Sequence, residues 1–254
     1  MIASERKRYI LNELRKAGIL SLKETAKMVG ASEITIRRDF EKLEKEGKLK
    51  RVQGGVELED SLENTNGSDG VELTMTKKIM LNLDEKTKIA QYAADFVKDG
   101  DCVFIDSGTT MLPLIDLIAN KRIVIVTYST LALRKLKNPL AEIIVLGGKY
   151  LPYYNMNTGT FAQDMLKKFY FDIAFIGCAS VDIEQRVAYL SETEGQIMKH
   201  IAMENAKRSF LLADSSKFGK RGFFKLSDFS TFEAVVCDAV QTDRKLPNNL
   251  IVVQ

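Results

Sequence analysis

Apolar positions in the first fifty residues recur at three- and four-residue spacing, whereas beyond residue 83 short unbroken apolar runs take over. The chain therefore reads as two differently built parts. In the first, Ile10, Leu11 and Leu14 follow Ser4 at helical spacing and Gly18 supplies a stop, which predicts a helix of about three turns. A second helix is expected to begin immediately, at Ser21-Leu22-Lys23-Glu24, where the serine oxygen and the glutamate satisfy free N–H groups. It carries Ala26 and Val29 inward and ends at Gly30. A third opens at Ser32; at about 100° per residue Ile36, Phe40 and Leu43 fall on one face, and Ile34, Arg38, Glu41 and Lys45 on the other. Thr35 and Arg37 flank that outer face. After Gly47, a basic strand over 48–53, a turn at Gly54-Gly55 and a second strand from Val56 predict a wing.

Residues 57–72 hold six acids, no Lys or Arg and an Asn/Gly/Ser cluster with no apolar face, the composition of a flexible linker. Beyond it, β-rich runs alternate with helical ones: a helix near 85–98, strand 102–106, helix 110–119, strand 122–127, helix 130–136 and strand 142–146. A helix near 160–168, strand 172–176, helix 194–207, and strands 209–213 and 233–237 follow. Such alternation implies a mostly parallel sheet covered by helices, with ligands at the carboxyl ends of its strands. The expected class is α/β: a winged helix-turn-helix over 1–56, a linker over 57–82, and an effector-binding and oligomerisation domain over 83–254.

Charge sharpens this division. The overall +3 hides 14 Lys/Arg against 8 Asp/Glu in residues 1–53, a net of +6, while the remainder carries −3. A basic module on a mildly acidic body suits a phosphate-backbone binder with a separate control domain. Apolar runs fall well short of the ~20 residues a membrane span needs, and the first residues carry charge where a signal peptide needs an apolar core. A cytoplasmic protein without a membrane partner is expected. Cys102, Cys178 and Cys237 are dispersed in apolar runs, which suits buried thiols and leaves no metal-ligand spacing. The single histidine, His200, is read as an ordinary helix residue, and no cofactor motif is found.

Two helices joined by a short turn, the second with arginines near its start, lay a recognition helix in the major groove of double-stranded operator DNA. Ser32, Ile34, Thr35, Arg37 and Arg38 are the candidate contacts there, with Lys50, Arg51 and Gln53 on the wing. Arginine can bond guanine with two donors, and Ile34 can meet a thymine methyl. The plainer alternative is a solvated amphipathic module whose arginines serve solubility. In the second part, Asp106, Ser107, Gly108, Thr109 and Thr110 follow an apolar strand. Glycine, hydroxyls and a helix start favour an anion such as phosphate, and a plain strand-to-helix turn capped by threonine explains the same residues. Aspartic-protease, haloacid-dehalogenase and dinucleotide readings lack their second aspartates or glycines. Further strand ends converge: Thr127-Tyr128-Ser129, Gly147-Gly148, Gly177, and Asp214-Ser215-Ser216-Lys217-Phe218-Gly219.

The stretch Ala31-Ser32-Glu33-Ile34-Thr35-Ile36-Arg37-Arg38-Asp39-Phe40, followed by Arg51-Val52-Gln53-Gly54-Gly55, resembles the DeoR-family signature. It departs mildly at Ala31, Phe40 and Gln53, the last standing where histidine is usual. The later stations resemble the family's effector domain in the same order, so the likeness covers about 4–56 and 83–238. It implies a fold shared with ribose-5-phosphate isomerase and the coenzyme A transferases. It also implies a homo-oligomer, dimer or tetramer, that represses carbohydrate genes until a phosphorylated effector binds. By the same resemblance Ser107, Gly108, Thr109 and Thr110 would hold the phosphate, Lys217 would pair with its charge, and Asp106 would face a ligand hydroxyl. Glu194 would be the acid that opens the next helix. Tyr128 stands where asparagine is usual, Tyr150, Tyr153 and Tyr154 crowd the loop after Gly148, and the stretch 180–191 lacks the customary glycine turn. The competing class is a sugar-phosphate isomerase or coenzyme A transferase fused to a DNA module, with Asp106, Glu192 or Glu194 as the base. Its glycine-rich catalytic loops are not evident, and no catalytic residue is assigned.

Overall fold

The computed structural model describes residues 3–17, 19–46, 48–52, 54–57, 75–136, 138–219, 221–243 and 245–253. The expected linker, apart from its first residue and its last few, and Gln53, Gly18 and Gly47 lie outside the described residues. The chain divides into two compact units, 1–78 and 79–254.

In the first unit α1 (Ala3–Ala17) is followed by β1 (Ile19–Ser21), α2 (Leu22–Val29), α3 (Glu33–Lys45), β2 (Lys50–Val52) and β3 (Gly55–Glu57). The caps form as the sequence dictates. Ser21 accepts from the Glu24 N–H, Gly30 takes the left-handed conformation that ends α2, and Ser32 accepts from the Thr35 N–H at 3.2 Å. Ile10, Leu14, Leu20, Ala26, Ile36, Phe40, Leu43, Leu49 and Val56 close one core. The second helix does not follow the first directly: β1 intervenes and pairs antiparallel with β3, which also pairs with β2. A strand of three residues is too short to leave a periodic signal. Its partner had to be Gly55, where a Cβ would stand 2.1 Å from the Leu20 carbonyl oxygen.

The short helix α4 (Met75–Met80) runs across the boundary in sequence, and α5 (Leu83–Ala94), β4 (Cys102–Ile105), α6 (Met111–Ile118), β5 (Val124–Thr127), α7 (Thr130–Lys135) and β6 (Glu142–Val145) follow. A hairpin of β7 (Lys149–Leu151) and β8 (Met156–Thr158) precedes α8 (Thr160–Leu166) and β9 (Phe171–Gly177). The strands β10 (Ser180–Asp182) and β11 (Val187–Leu190) lead to α9 (Gln196–Glu204) and β12 (Ala206–Leu212). Finally come β13 (Phe224–Asp228), β14 (Ala234–Cys237) and β15 (Leu250–Val252). Seven strands form one sheet in the order β15-β14-β12-β9-β4-β5-β6, every neighbouring pair parallel.

Helices cover both faces, so successive strand residues feed opposite cores and the strands read as unbroken apolar runs. Val103, Ile105, Ile125, Ile173, Phe175, Phe210 and Leu212 face one core with α5 and α6, while Phe104, Val126, Ala174, Ile176 and Leu211 face the other with α8 and α9. Two differences from the sequence reading stand out. The helix expected over 194–207 stops at Glu204, and β12 starts at Ala206, because Asn205 donates to the Lys167 and Phe169 carbonyls and turns the chain into the sheet. The stretch 180–191 is a hairpin, β10 with β11, whose sheet β13 completes. Its turn lacks glycine because Arg186 adopts φ 56° and the Asp182 carboxylate caps the N–H groups of Glu184 and Gln185.

Candidate DNA-reading face and effector site

In the first unit Ser32, Glu33, Ile34, Arg37 and Arg38 are exposed along the first turns of α3, with Thr35 half-buried and Ile34 68% exposed. Such exposure of an isoleucine beside two arginines makes a surface suited to groove edges. Arg37 and Arg38 have no ion-pair partner among the described residues. Asp39 of the same motif is buried and accepts from Arg6 of α1 at 2.5 Å, so it braces the fold. Arg51 lies on the wing strand β2, as expected, and is ion-paired. Its guanidinium meets Glu44 at 2.7 Å and Glu41 at 3.1 Å, and its N–H also meets Glu44. That N–H and guanidinium hold the Glu44 carboxyl below the usual carboxylate range. Arg51 thus pins the wing to α3, whereas Lys50 stays exposed with only a 3.7 Å contact to Glu57.

In the second unit the strand order places the carboxyl ends of β12, β9, β4 and β5 side by side. Asp106, immediately after β4, is 1% exposed and fully engaged. One oxygen accepts from the Tyr128 hydroxyl, and the other accepts from the Gly177 N–H at 2.8 Å and from the Lys199 ammonium. Lys199, itself buried on α9, also donates to the Gly177 carbonyl at 3.2 Å. A buried carboxylate is tolerable only with such donors, and the pair forms the floor of the site. The expectation that Asp106 faces a ligand hydroxyl therefore meets a carboxylate with both oxygens taken, one by a phenol at the position of the unusual Tyr128. Burial, then the Asp106 charge, pushes the Tyr128 hydroxyl well above its usual value, so it stays protonated and donates.

Ser107, Gly108 and Thr109 are half-buried and Thr110 is buried. Thr110 makes no side-chain cap. Among the described residues, the N–H groups of Ser107, Gly108, Thr109 and Thr110 find no protein acceptor, while the next two, of Met111 and Leu112, bond back to Gly108 and Thr109. The Ser107 hydroxyl donates to Tyr128 at 3.3 Å. Glu192 accepts from the Gly195 N–H at 2.6 Å, and a Cβ on Gly195 would stand 3.3 Å from the Tyr128 hydroxyl. Burial raises the Glu192 carboxyl. On the β9 side, burial pushes the Cys178 thiol up to about 12, opposed first by Lys217 and then by Lys199, while Asp214 and Asp106 add to the rise. The Asp106–Lys199 pair itself bonds Gly177, the residue before Cys178. Lys217 ends a short 3₁₀ turn, Ser215–Lys217, capped by Asp214, and has no ion-pair partner among the described residues.

Other expected residues serve the scaffold. Thr127 is buried, donating to the Ile105 carbonyl and accepting from the Ser129 N–H, and Ser129 is buried against Met156. Gly147 and Gly148 are exposed at the start of the β7–β8 hairpin, where a Cβ on Gly148 would meet the Thr158 carbonyl oxygen at 2.4 Å. Glu194 is exposed, outside the buried cluster. Tyr153 and Tyr154 pack edge to face, Tyr150 bonds Asn155, and both His200 nitrogens face carbonyl oxygens. Sequence reasoning did not assign Lys199 to the site, 93 residues from Asp106. The available signal was a lysine on the buried face of α9, among Met198, Ile201 and Ala202. Among the described residues no helix is long and apolar enough to cross a membrane.

Residues 6–62 match the DeoR-like helix-turn-helix domain, and residues 81–239 match the DeoR C terminal sensor domain. An HTH-type transcriptional regulator of Haemophilus influenzae is 31% identical over 252 residues, covering 98% of this chain and 93% of that one. The lactose phosphotransferase system repressor of Lactococcus lactis subsp. lactis is 34% identical over 215 residues, 83% of this chain and 81% of its own. Ribose 5-phosphate isomerase A of Methanocaldococcus jannaschii aligns with a TM-score of 0.41 at 21% identity, over 55% of this chain and 56% of that one. With both units matched, and a relative alike over nearly its whole length, this chain belongs to the DeoR family of DNA-binding transcriptional regulators.

Proposed function

We propose that the protein represses carbohydrate-metabolism genes and releases its operator when a phosphorylated sugar or a related metabolite binds the second unit. The observation that carries this reading is a run of four N–H groups at 107–110, after β4, without a protein acceptor among the described residues, at the same sheet edge as Lys217, which follows β12 two strands along and has no ion-pair partner among those residues. Free N–H groups at a helix start and a compact unpaired cation favour a phosphate dianion. The name of the lactose phosphotransferase system repressor lends the carbohydrate theme. Ser32, Ile34, Thr35, Arg37 and Arg38 read the major groove and Lys50 meets backbone phosphate, two copies of the chain engaging half-sites about one helical turn apart. Turnover is not part of the proposal. A proton-transfer base must be free to reach substrate, whereas Asp106 is saturated, Glu192 holds the Gly195 N–H and Glu194 points from an exposed turn.

Gel-shift titration on the DNA upstream of its own gene tests this. Arg38→Ala should weaken specific binding by ~1–3 kcal/mol with the fold intact. Sugar phosphates should release wild-type protein and come back chemically unchanged, while Lys217→Ala should bind the same DNA and ignore them. Conversion of the ligand at enzyme-like rates, or release that survives Lys217→Ala, would overturn the reading.

A further inference from the structure

Among the described residues four that are not glycine take a left-handed backbone: Asn82, Asn138, Asn155 and Arg186. Asparagine tolerates that region, whereas arginine meets its steric cost in full, so the reason for Arg186 lies in its side chain. Arg186 lines an open pocket of about 710 Å³ at the amino ends of β14 and β15, the end of the parallel strands opposite the 107–110 turn. Hydrogen bonds fix its walls. The Arg186 carbonyl accepts from the Phe229 N–H at 2.9 Å, and the Asn249 amide donates to the Phe229 and Phe232 carbonyls at 2.8 and 3.0 Å. Of the charged residues lining the pocket, Asp228 is neutralised by Lys225 at 2.6 Å, while Arg186 and Lys245 are exposed and have no ion-pair partner among the described residues. Gln185, Ser230 and Asn248 line it as well, and their side chains make no hydrogen bond to the described residues. Phe229, the aromatic residue in this lining, is 2% exposed and offers no ring for a base to stack on. Two uncompensated cations at one pocket, in a part of the chain whose net charge is negative, concentrate anions there.

We infer that this pocket is a second ligand site, separate from the 107–110 turn, and that it takes a compact hydrophilic anion with at least two negative charges carried on phosphate or carboxylate oxygens. Arg186 offers the forked pair of donors that matches either group, and Lys245 adds a second positive charge. Gln185, Ser230 and Asn248 supply donors for the remaining oxygens. The volume falls in the range of small-molecule sites, roughly 300–1,000 Å³. The strain at Arg186 then has a use: it places a guanidinium where glycine would give the easier turn. Nothing in the inference depends on the phosphate site proposed above.

Calorimetric titration of the full chain carrying Lys217→Ala, with pyrophosphate and with citrate, tests this, because that background lacks the cation assigned to the other site. At least one of the two anions should bind, and the tighter one identifies the charged group that the pocket prefers. Adding Arg186→Gly should weaken that anion roughly tenfold or more, the range for a hydrogen bond to a charged group. Arg186→Asn, whose short side chain suits the left-handed turn, should do the same, which separates loss of the cation from the added freedom of glycine. Lys245→Ala should weaken binding roughly threefold or more, as loss of one charge at an open site. Thermal melting of each variant checks its fold, and glycine or asparagine at 186 relaxes the turn. Binding of neither anion, or a smaller loss in any of the three variants, overturns the second site.

Discussion

The Asp106–Lys199 pair joins β4 to α9 across the floor of the site, and its energetic character follows from burial. Two ions withdrawn from water repay their desolvation only through each other and the Tyr128 and Gly177 donors around them, so removing one partner is far costlier than removing both. Lys199→Met should therefore destabilise the second unit by about 3–5 kcal/mol. Asp106→Asn added to it should cost much less than Asp106→Asn alone, as urea denaturation of the four proteins would show. Additive losses would mean that the two charges do not support each other. Asp106 itself was legible from its place after an apolar strand. Its role was not, because the residues that occupy its oxygens come from β5, β9 and α9, and nothing local announces them.

Among the elements, the β10–β11 hairpin shows how one unfavourable residue is carried by its neighbours. Arg186 in the left-handed region pays a steric cost that glycine would not, and the Asp182 cap with the β11–β13 pairing holds the turn closed. Arg186→Gly should raise stability by up to ~1 kcal/mol, the relief of strain being partly offset by the greater freedom of glycine when unfolded. Asp182→Ala should lower it by ~1 kcal/mol. Chemical-denaturation midpoints decide both; a less stable Arg186→Gly protein would show that the arginine side chain, and not the turn geometry, is what matters there. The long parallel strands and capped helices were readable because each carries many residues of one pattern. The three-residue strands β1, β7, β8, β10 and β15 were missed because pairing with a distant partner, and not periodicity, creates them.

At the scale of the whole molecule, the two units each close their own hydrophobic core. A fragment of residues 79–254 should consequently fold alone, with a cooperative melt like that of the second unit in the full chain. If effector binding works through assembly of subunits, light scattering on it should report a dimer or larger, and a stable monomer at micromolar concentration would contradict that route from effector to DNA. The sequence by itself determined the division into a basic helical module and an α/β body, the third helix with its Ser32 cap, and the parallel sheet. Those features are written in local spacing, charge and turn chemistry, which act over a few residues. Tertiary structure alone decided which polar groups meet. Strand order, absent from any local pattern, brings Asp106, Tyr128, Gly177 and Asp214 to one edge and leaves a single oxygen of Asp214 buried without a donor among the described residues, and packing of the wing against α3 pairs Arg51 with Glu44. The physical reason is range: helices and turns are set by neighbours along the chain, whereas buried polar contacts are set by residues up to 132 positions apart, the separation of Asn82 and Asp214.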